Sequence, residues 1–182
     1  MQNNNAPIFY HEDFYRQIEL VPEENYFASN RFIDELPPKE SSIYGIKNMV
    51  VRPEQKIKLS DRMISFEEVS EILSPISLFY SENVNTGYGQ SAWRDRDTFV
   101  WGFEQFGLFI KHKQKNVEAI WLSDSPTFPQ LKTSNHLRDA IFALSKKYSL
   151  ILTDWNKEII CRIRTENDVR EYLYQNLSFD YY

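Results

Sequence analysis

The chain of 182 residues has few of the residues on which disulfide frameworks and metal sites depend. It contains one cysteine and three histidines. A single cysteine excludes an intrachain disulfide, and we expect Cys161, which lies in an apolar run, to be a buried thiol in a reducing compartment. A structural zinc site needs three or four converging ligands, and His11, His112 and His136 are not spaced for one. We predict neither a metal nor a cofactor.

Long apolar runs and clusters of basic residues are also missing. No segment approaches the roughly 18 apolar residues needed to cross a bilayer, and the amino terminus lacks the features of a secretory signal. The pI is about 5.3, and Lys111 to Lys115 is the nearest approach to the grouped basic residues that bind phosphates. This short segment is typical of a charged hairpin turn. We expect a cytoplasmic protein that binds neither membrane nor nucleic acid.

Signatures of catalysis are missing as well. No Gly-x-Ser-x-Gly run marks a serine nucleophile. The segment from Asn85 to Gln90 lacks the lysine or third glycine of a phosphate-binding loop, so we interpret it as a flexible loop entering a meander. A general acid and base would have to come from four acids: Asp95, Asp97, Glu104 and Asp124. Because arginines neighbour Asp95 and Asp97, local ion pairs are the simpler interpretation, and we predict no catalytic residue.

Aromatic residues are abundant, with 13 Phe, 11 Tyr and 4 Trp. A chain of this length buries roughly 70% of its unfolded surface, which supports one core. We therefore predict a single domain over residues 1–182, with residues 1–7 as a disordered tail. Trp101 and Trp121 lie in strand-like runs and are expected in the core, whereas Trp93 is expected to be exposed.

The apolar pattern predicts an α+β domain with a mostly antiparallel sheet and helices packed on one face. Three β-rich runs, at 98–103, 106–112 and 117–122, are close enough to form an antiparallel meander. A β-hairpin is predicted at 150–164, with Asp154 in the turn. A first strand at 14–21 is also predicted. Helices are expected at 23–36, at 65–73 after a Ser-x-x-Glu capping box, from 135 onward, and at 166–177 after Thr165.

Negative charge is concentrated at the start of the chain. Residues 1–40 contain 8 acidic and 3 basic residues, whereas residues 41–182 contain 18 of each. We treat 8–40 as an acidic N-terminal part that can steer association with a basic partner. Its acids are Glu12, Asp13, Glu19, Glu23, Glu24, Asp34, Glu35 and Glu40.

A contact surface is predicted from rings and charges. The segment from residue 85 to residue 97 combines two glycines, two rings and alternating charges, which is typical of a recognition loop. The predicted partner-binding residues are Glu23, Glu24, Tyr26, Tyr88, Trp93, Asp95 and Asp97.

The layout of residues 98–164 resembles that of the small acidic immunity proteins of bacterial polymorphic toxin systems. The resemblance rests on Phe99 to Gly102, Gly107 to Ile110, Val117 to Leu122, an amphipathic helix, and Leu150 to Trp155. It implies a non-catalytic cytosolic protein that binds a cognate, basic protein toxin and blocks it.

Two other interpretations remain open. One is a small enzyme or ligand-binding domain with a pocket near the 85–97 loop, and the other is an accessory subunit. An inhibitor needs an outward acidic or aromatic face, whereas an enzyme needs a concave pocket into which titratable groups point.

Overall fold

The computed structural model describes residues 8–37, 41–42, 45–46, 51–76, 78–88, 91–103, 106–123 and 131–177. The predicted tail at 1–7 lies outside these residues. The α-helices are α1 Tyr26–Asp34, α2 Phe66–Leu73, α3 Leu131–Tyr148 and α4 Glu166–Leu177. The strands are β1 Ile8–His11, β2 Ile18–Pro22, β3 Ser41–Ser42, β4 Gly45–Ile46, β5 Phe79–Ser81, β6 Val84–Tyr88, β7 Ser91–Arg94, β8 Thr98–Phe103, β9 Phe106–Lys113, β10 Asn116–Leu122, β11 Leu150–Asp154 and β12 Ile159–Arg162. Short 3-10 helices cover Glu12–Phe14, Glu23–Asn25 and Leu59–Arg62.

A seven-stranded sheet with the order β12-β11-β2-β10-β9-β8-β5 forms the centre of the fold. Every neighbouring pair in it is antiparallel. The predicted α+β class, the meander β8-β9-β10 and the hairpin β11-β12 are confirmed. The strand predicted at 14–21 begins later, at Ile18, because Glu12–Phe14 forms a 3-10 turn.

Strand β2 lies inside this sheet, between β11 and β10. The acidic N-terminal part is therefore not a separate surface segment, because β2, the strand that its described residues contribute to the large sheet, pairs on both sides. Trp121 pairs with Glu19 on one side, and Thr153 pairs with Glu19 on the other.

The two faces of the sheet carry different layers. Side chains alternate along a strand, so Leu108 and Ile110 point to the helical face while Phe109 points to the opposite face. Residues of α2, α3 and α4 complete the larger core, as predicted for helices on one face. On the opposite face a smaller core forms around Phe109 and Trp121.

Of the segment predicted as a flexible loop, the described residues 85–88 lie in strand β6, so that prediction is wrong there. Strands β6 and β7 pair antiparallel, and β1 adds to β6 in parallel, giving a three-stranded sheet. Val84 is fully buried and anchors β6 to the smaller core. Gly87 has a φ of +154°, and a Cβ there would lie 1.9 Å from the Ser91 carbonyl oxygen. The glycine thus permits close strand pairing and does not indicate flexibility.

Local signals fix the helix ends. The Ser65 hydroxyl accepts from the Glu68 N–H, and the Glu68 carboxylate accepts from the Ser65 N–H, which confirms the predicted capping box. The Thr165 hydroxyl accepts from the Asp168 N–H at the start of α4. Gln114 and Lys115 have positive φ values in the turn between β9 and β10, as expected for a charged hairpin turn.

Trp121 is the ring on which the smaller core depends. It is fully buried, stacks on Phe109 at 5.3 Å between centroids, and meets Tyr10 and Tyr15 edge to face. We expect Trp121→Ala to lower the free energy of unfolding by about 3–5 kcal/mol, because removal of the indole leaves a cavity between the surrounding rings. Urea denaturation measures this loss.

Trp93→Ala is the matched control, since that ring is 50% exposed. It should change the free energy of unfolding by about 0.5 kcal/mol or less. Equal losses in the two variants would contradict the assignment of one ring to the core and the other to the surface.

Candidate functional site

The seven predicted site residues fall into two groups. Glu23, Glu24 and Tyr26 follow β2, whereas Tyr88, Trp93, Asp95 and Asp97 belong to the β6–β7 hairpin and the turn before β8. Two strands, β10 and β9, lie between β2 and β8. Tyr88 ends β6, and its side chain lies outside the part of the chain that the structure describes.

The two acids of the first group are paired with arginines from later parts of the chain. A Glu23 carboxylate oxygen lies 3.6 Å from the Arg162 Nε, and Glu24 accepts a hydrogen bond from Arg62. The Arg162 guanidinium also lies over the Tyr26 ring, 3.6 Å from its centroid. Both acids are therefore exposed but paired with arginines distant in sequence, and the Tyr26 ring is partly buried.

A groove on the sheet face opposite α2, α3 and α4 is lined by three residues of the second group, Trp93, Asp95 and Asp97. It has a volume of about 530 Å³. Its lining residues include Tyr10, Tyr15, Trp93, Asp95, Asp97 and Lys111. The small sheet forms one wall, and strand β9 contributes Lys111 from the large sheet. The groove is therefore concave and polar, with rings on its walls.

Asp95 is an acid of this groove whose carboxylate is held by several contacts. Its Oδ2 accepts hydrogen bonds from the Tyr10 hydroxyl at 2.7 Å and from the Thr98 hydroxyl at 2.7 Å. The Lys111 ammonium lies 4.0 Å from the same oxygen. The expected ion pairing with neighbouring arginines is not what holds it, because the Arg94 guanidinium donates to the Glu82 carbonyl oxygen instead.

The hydrogen bonds of this cluster fix its protonation states. Burial alone raises the pKa of Asp95, but the Thr98 and Tyr10 hydroxyls and the Lys111 charge outweigh it, so the pKa lies below its ordinary value. Burial and the hydrogen bond to Asp95 raise the pKa of Tyr10 well above its ordinary value. At neutral pH the carboxylate is ionised and the phenol protonated. The pair is therefore a hydrogen bond from a protonated phenol to an ionised carboxylate.

Trp93 is the exposed ring of the groove. All four residues of β7 are exposed, and Trp93 pairs in register with Thr86, which pairs with Tyr10. Residues directly opposite each other across strands share a face, so the indole points to the same side as Tyr10. Its exposure is as predicted, whereas Trp101 and Trp121 are buried as predicted.

A second cavity, which the sequence did not reveal, adjoins the groove. It has a volume of about 450 Å³, and Tyr15 lines both cavities. Glu19, one of the acids expected to supply a steering field, is 3% exposed and lies in this second cavity. The signal that could have revealed it is one charged residue inside the otherwise apolar strand Ile18–Pro22.

Other candidate residues have structural surroundings. Burial raises the pKa of the Cys161 thiol to about 11, so it is a poor nucleophile at neutral pH. The Asp154 carboxylate accepts from the backbone of Asn156 and from the Tyr172 hydroxyl, in the predicted turn. The candidate acids Glu104 and Asp124 lie outside the described residues.

The part of the chain that the structure describes has neither a cluster of metal ligands nor a helix suited to span a membrane. There, no three His, Cys, Asp or Glu side chains are grouped as ligands of a metal ion. Within the same residues, none of the helices combines the length and the apolar character of a membrane span. Comparison of the chain with protein-family models, curated proteins and solved structures gives no match.

The charge of Asp95 should contribute to stability in a pH-dependent way. Because its pKa is lowered in the folded state, the contribution is present above the ordinary carboxyl value of about 3.9 and is lost as the pH falls through the lower folded value. Asp95→Asn should therefore lower the free energy of unfolding by about 1–3 kcal/mol at neutral pH. The deficit should shrink when urea denaturation is repeated well below that carboxyl value.

Asp97→Asn removes the same charge two residues away, at an exposed position. It should have a smaller effect at neutral pH. A deficit of Asp95→Asn that does not change with pH would show that the charge is not what stabilises the groove.

Proposed function

We propose that this chain is a non-catalytic binding protein that neutralises a cognate protein toxin by tight association. The observation that carries the proposal is the half-exposed Trp93 on an edge strand whose four residues are all exposed. Tryptophan is enriched among the residues that dominate binding energy at interfaces. The fold does not need this ring for its core, since Trp121 and Phe109 fill that face.

The surroundings of Trp93 suit a protein partner. Exposed charges of both signs, among them Arg94, Arg96 and Asp97, follow the ring along the chain. A ring framed by charged residues has the composition of an interface centre with a polar rim. The rigid Tyr10–Asp95–Thr98 cluster beneath it holds the turn before β8, so the surface is pre-organised.

The net charge of −5 supports a basic partner. The paired acids of the first group contribute less to this attraction than the sequence suggested. Exposed acids such as Asp97 and Glu12 then contribute more of it. Toxin domains that act on nucleic acids carry positive charge for their own substrate, so they match this sign.

A ligand-binding domain is the second candidate function. The groove at residues 85–97 favours it, because its volume of about 530 Å³ suits a small molecule. The fixed protonation states of Tyr10 and Asp95 favour binding over catalysis in that groove as well.

A growth assay tests the toxin proposal directly. The protein encoded beside this chain is expressed in a sensitive host with and without the chain, and we expect the chain to restore growth. Trp93→Ala should weaken the complex by about 30-fold or more, which corresponds to 2 kcal/mol, and should reduce protection. Isothermal titration of the two purified proteins measures the affinity.

Phe27→Ala is the matched control, because Phe27 is the more exposed ring at 74% and lies on α1, outside the groove. It should leave affinity within about threefold of the wild type. Loss of binding in Phe27→Ala with full binding in Trp93→Ala would contradict the groove as the interface, and absence of any complex would contradict the toxin proposal.

Electrostatic attraction should appear in the association rate. We expect the association rate constant for a basic partner to fall as salt is added, because exposed charges are screened. Asp97→Lys should slow association by a larger factor than it speeds dissociation. Glu71→Lys makes the same charge change on α2, in the layer on the other face, and should have the smaller effect. Stopped-flow kinetics at several salt concentrations measures the association rate constant. A rate constant that does not change with salt would contradict the prediction.

A further inference from the structure

The second cavity is built around a buried carboxylate with several donors. Glu19 accepts hydrogen bonds from Arg16 Nε at 2.6 Å and from Trp155 Nε1 at 2.9 Å. Gln55 Nε2 lies 3.3 Å and Arg52 Nη1 lies 3.8 Å from Glu19 Oε1. Two guanidinium groups thus face one carboxylate, which leaves one positive charge in excess at the centre of the cluster.

The full set of residues that line the second cavity also carries an excess of positive charge. Four cationic side chains and three acidic ones line the cavity: Arg16, Arg52, Lys56 and Lys58 against Glu19, Glu54 and Glu118. Glu54 is itself paired with Lys58 at 2.5 Å. The cavity therefore has a local positive balance in a chain whose net charge is −5.

The two arginines are held in place by specific contacts. Arg52 Nη1 donates to the Arg16 carbonyl oxygen at 2.8 Å, and its guanidinium lies 5.4 Å from the Trp155 ring centroid. Arg16 has a φ of 57°, in the left-handed region that a residue other than glycine adopts at a cost of about 1 kcal/mol. Burial, and then repulsion from Arg16, lower the pKa of Arg52 despite the attraction of Glu19.

The outer wall of the cavity is anchored too. Asn25 is 2% exposed, and its amide donates to the Ile57 carbonyl oxygen at 2.7 Å and accepts from the Ile57 N–H at 3.2 Å. This clamp fixes the segment 51–58 against α1. The volume of about 450 Å³ is therefore bounded by supported walls, open to solvent on one side, and of a size that holds a small ligand.

We propose that this cavity binds a small anion through a phosphate or carboxylate group, with Arg16 and Arg52 as its ligands. Each guanidinium carries five N–H donors in a planar fork, more than the hydrogen bonds to Glu19 and to the Arg16 carbonyl use. That fork matches the paired oxygens of phosphate and carboxylate. Glu19 orients the arginines and limits the charge, so the site favours an anion without requiring a multiply charged one.

The test is a titration of the full chain with sodium phosphate and, separately, sodium succinate, each against sodium chloride at equal ionic strength. The Trp155 indole N–H signal, assigned with Trp155→Phe, reports by NMR because that group donates to Glu19. We expect this signal to shift with saturation while the Trp93 signal does not. Saturation by one anion or both identifies the group that is recognised, and saturation by neither overturns the proposal.

Two variants should move the affinity in opposite directions. Arg52→Gln should weaken binding by about tenfold or more, because it removes a charged donor, whereas Glu19→Gln should tighten it by removing the competing carboxylate. Lys113→Gln makes the same charge change as Arg52→Gln at an exposed position on β9 and should leave affinity unchanged. Equal weakening in Arg52→Gln and Lys113→Gln would overturn the site. If Arg52→Gln does not fold, Arg52→Lys keeps the charge, and retention of full affinity would equally refute a guanidinium fork.

Discussion

The structure depends on how a carboxylate is accommodated inside an interior strand of the large sheet. Glu19 lies in β2 between two hydrogen-bonded neighbours, where an unpaired charge would cost several kcal/mol. Arg16, Trp155 and Gln55 supply its hydrogen bonds. The residues that neutralise this one group come from the turn before β2, the β11–β12 turn and the segment 51–58, and together they form the polar cavity.

The requirement to neutralise Glu19 divides the sheet face opposite α2, α3 and α4 into two parts. Towards β8 the face is aromatic, with Phe109 and Trp121 covered by Tyr10 of the small sheet. Towards β11 it is polar, around Glu19. Tyr15 lies at the boundary, where it packs on Trp121 and lines both cavities. The groove proposed for a protein partner and the cavity proposed for an anion therefore share a wall, so an occupant of one contacts a residue of the other.

Local sequence signals predicted most of the elements but little of the site. The capping box at Ser65 and the meander β8-β9-β10 were predictable because their contacts are close in sequence. The β6–β7 hairpin was not predicted, because Gly87 permits close strand pairing here, whereas glycine in a sequence is usually interpreted as a sign of a loop. The partner of Asp95, Tyr10, is 85 residues away. Sequence patterns do not predict a contact between residues so far apart. The arginines next to Asp95 in sequence were therefore the expected partners of its carboxylate.

The charge asymmetry along the chain shows how sequence and space differ. The first forty residues carry the excess of acids, yet Arg162 of β12 and Arg62 of the 3-10 helix Leu59–Arg62 approach Glu23 and Glu24. An exposed ion pair adds little stability, since its Coulomb energy is small in water, but it removes both charges from the long-range field. For the partner proposed above, steering would then depend on the acids that remain exposed, and the exposed ring beside them would govern the dissociation rate. In this fold that ring is Trp93, which Asp97 follows by four residues.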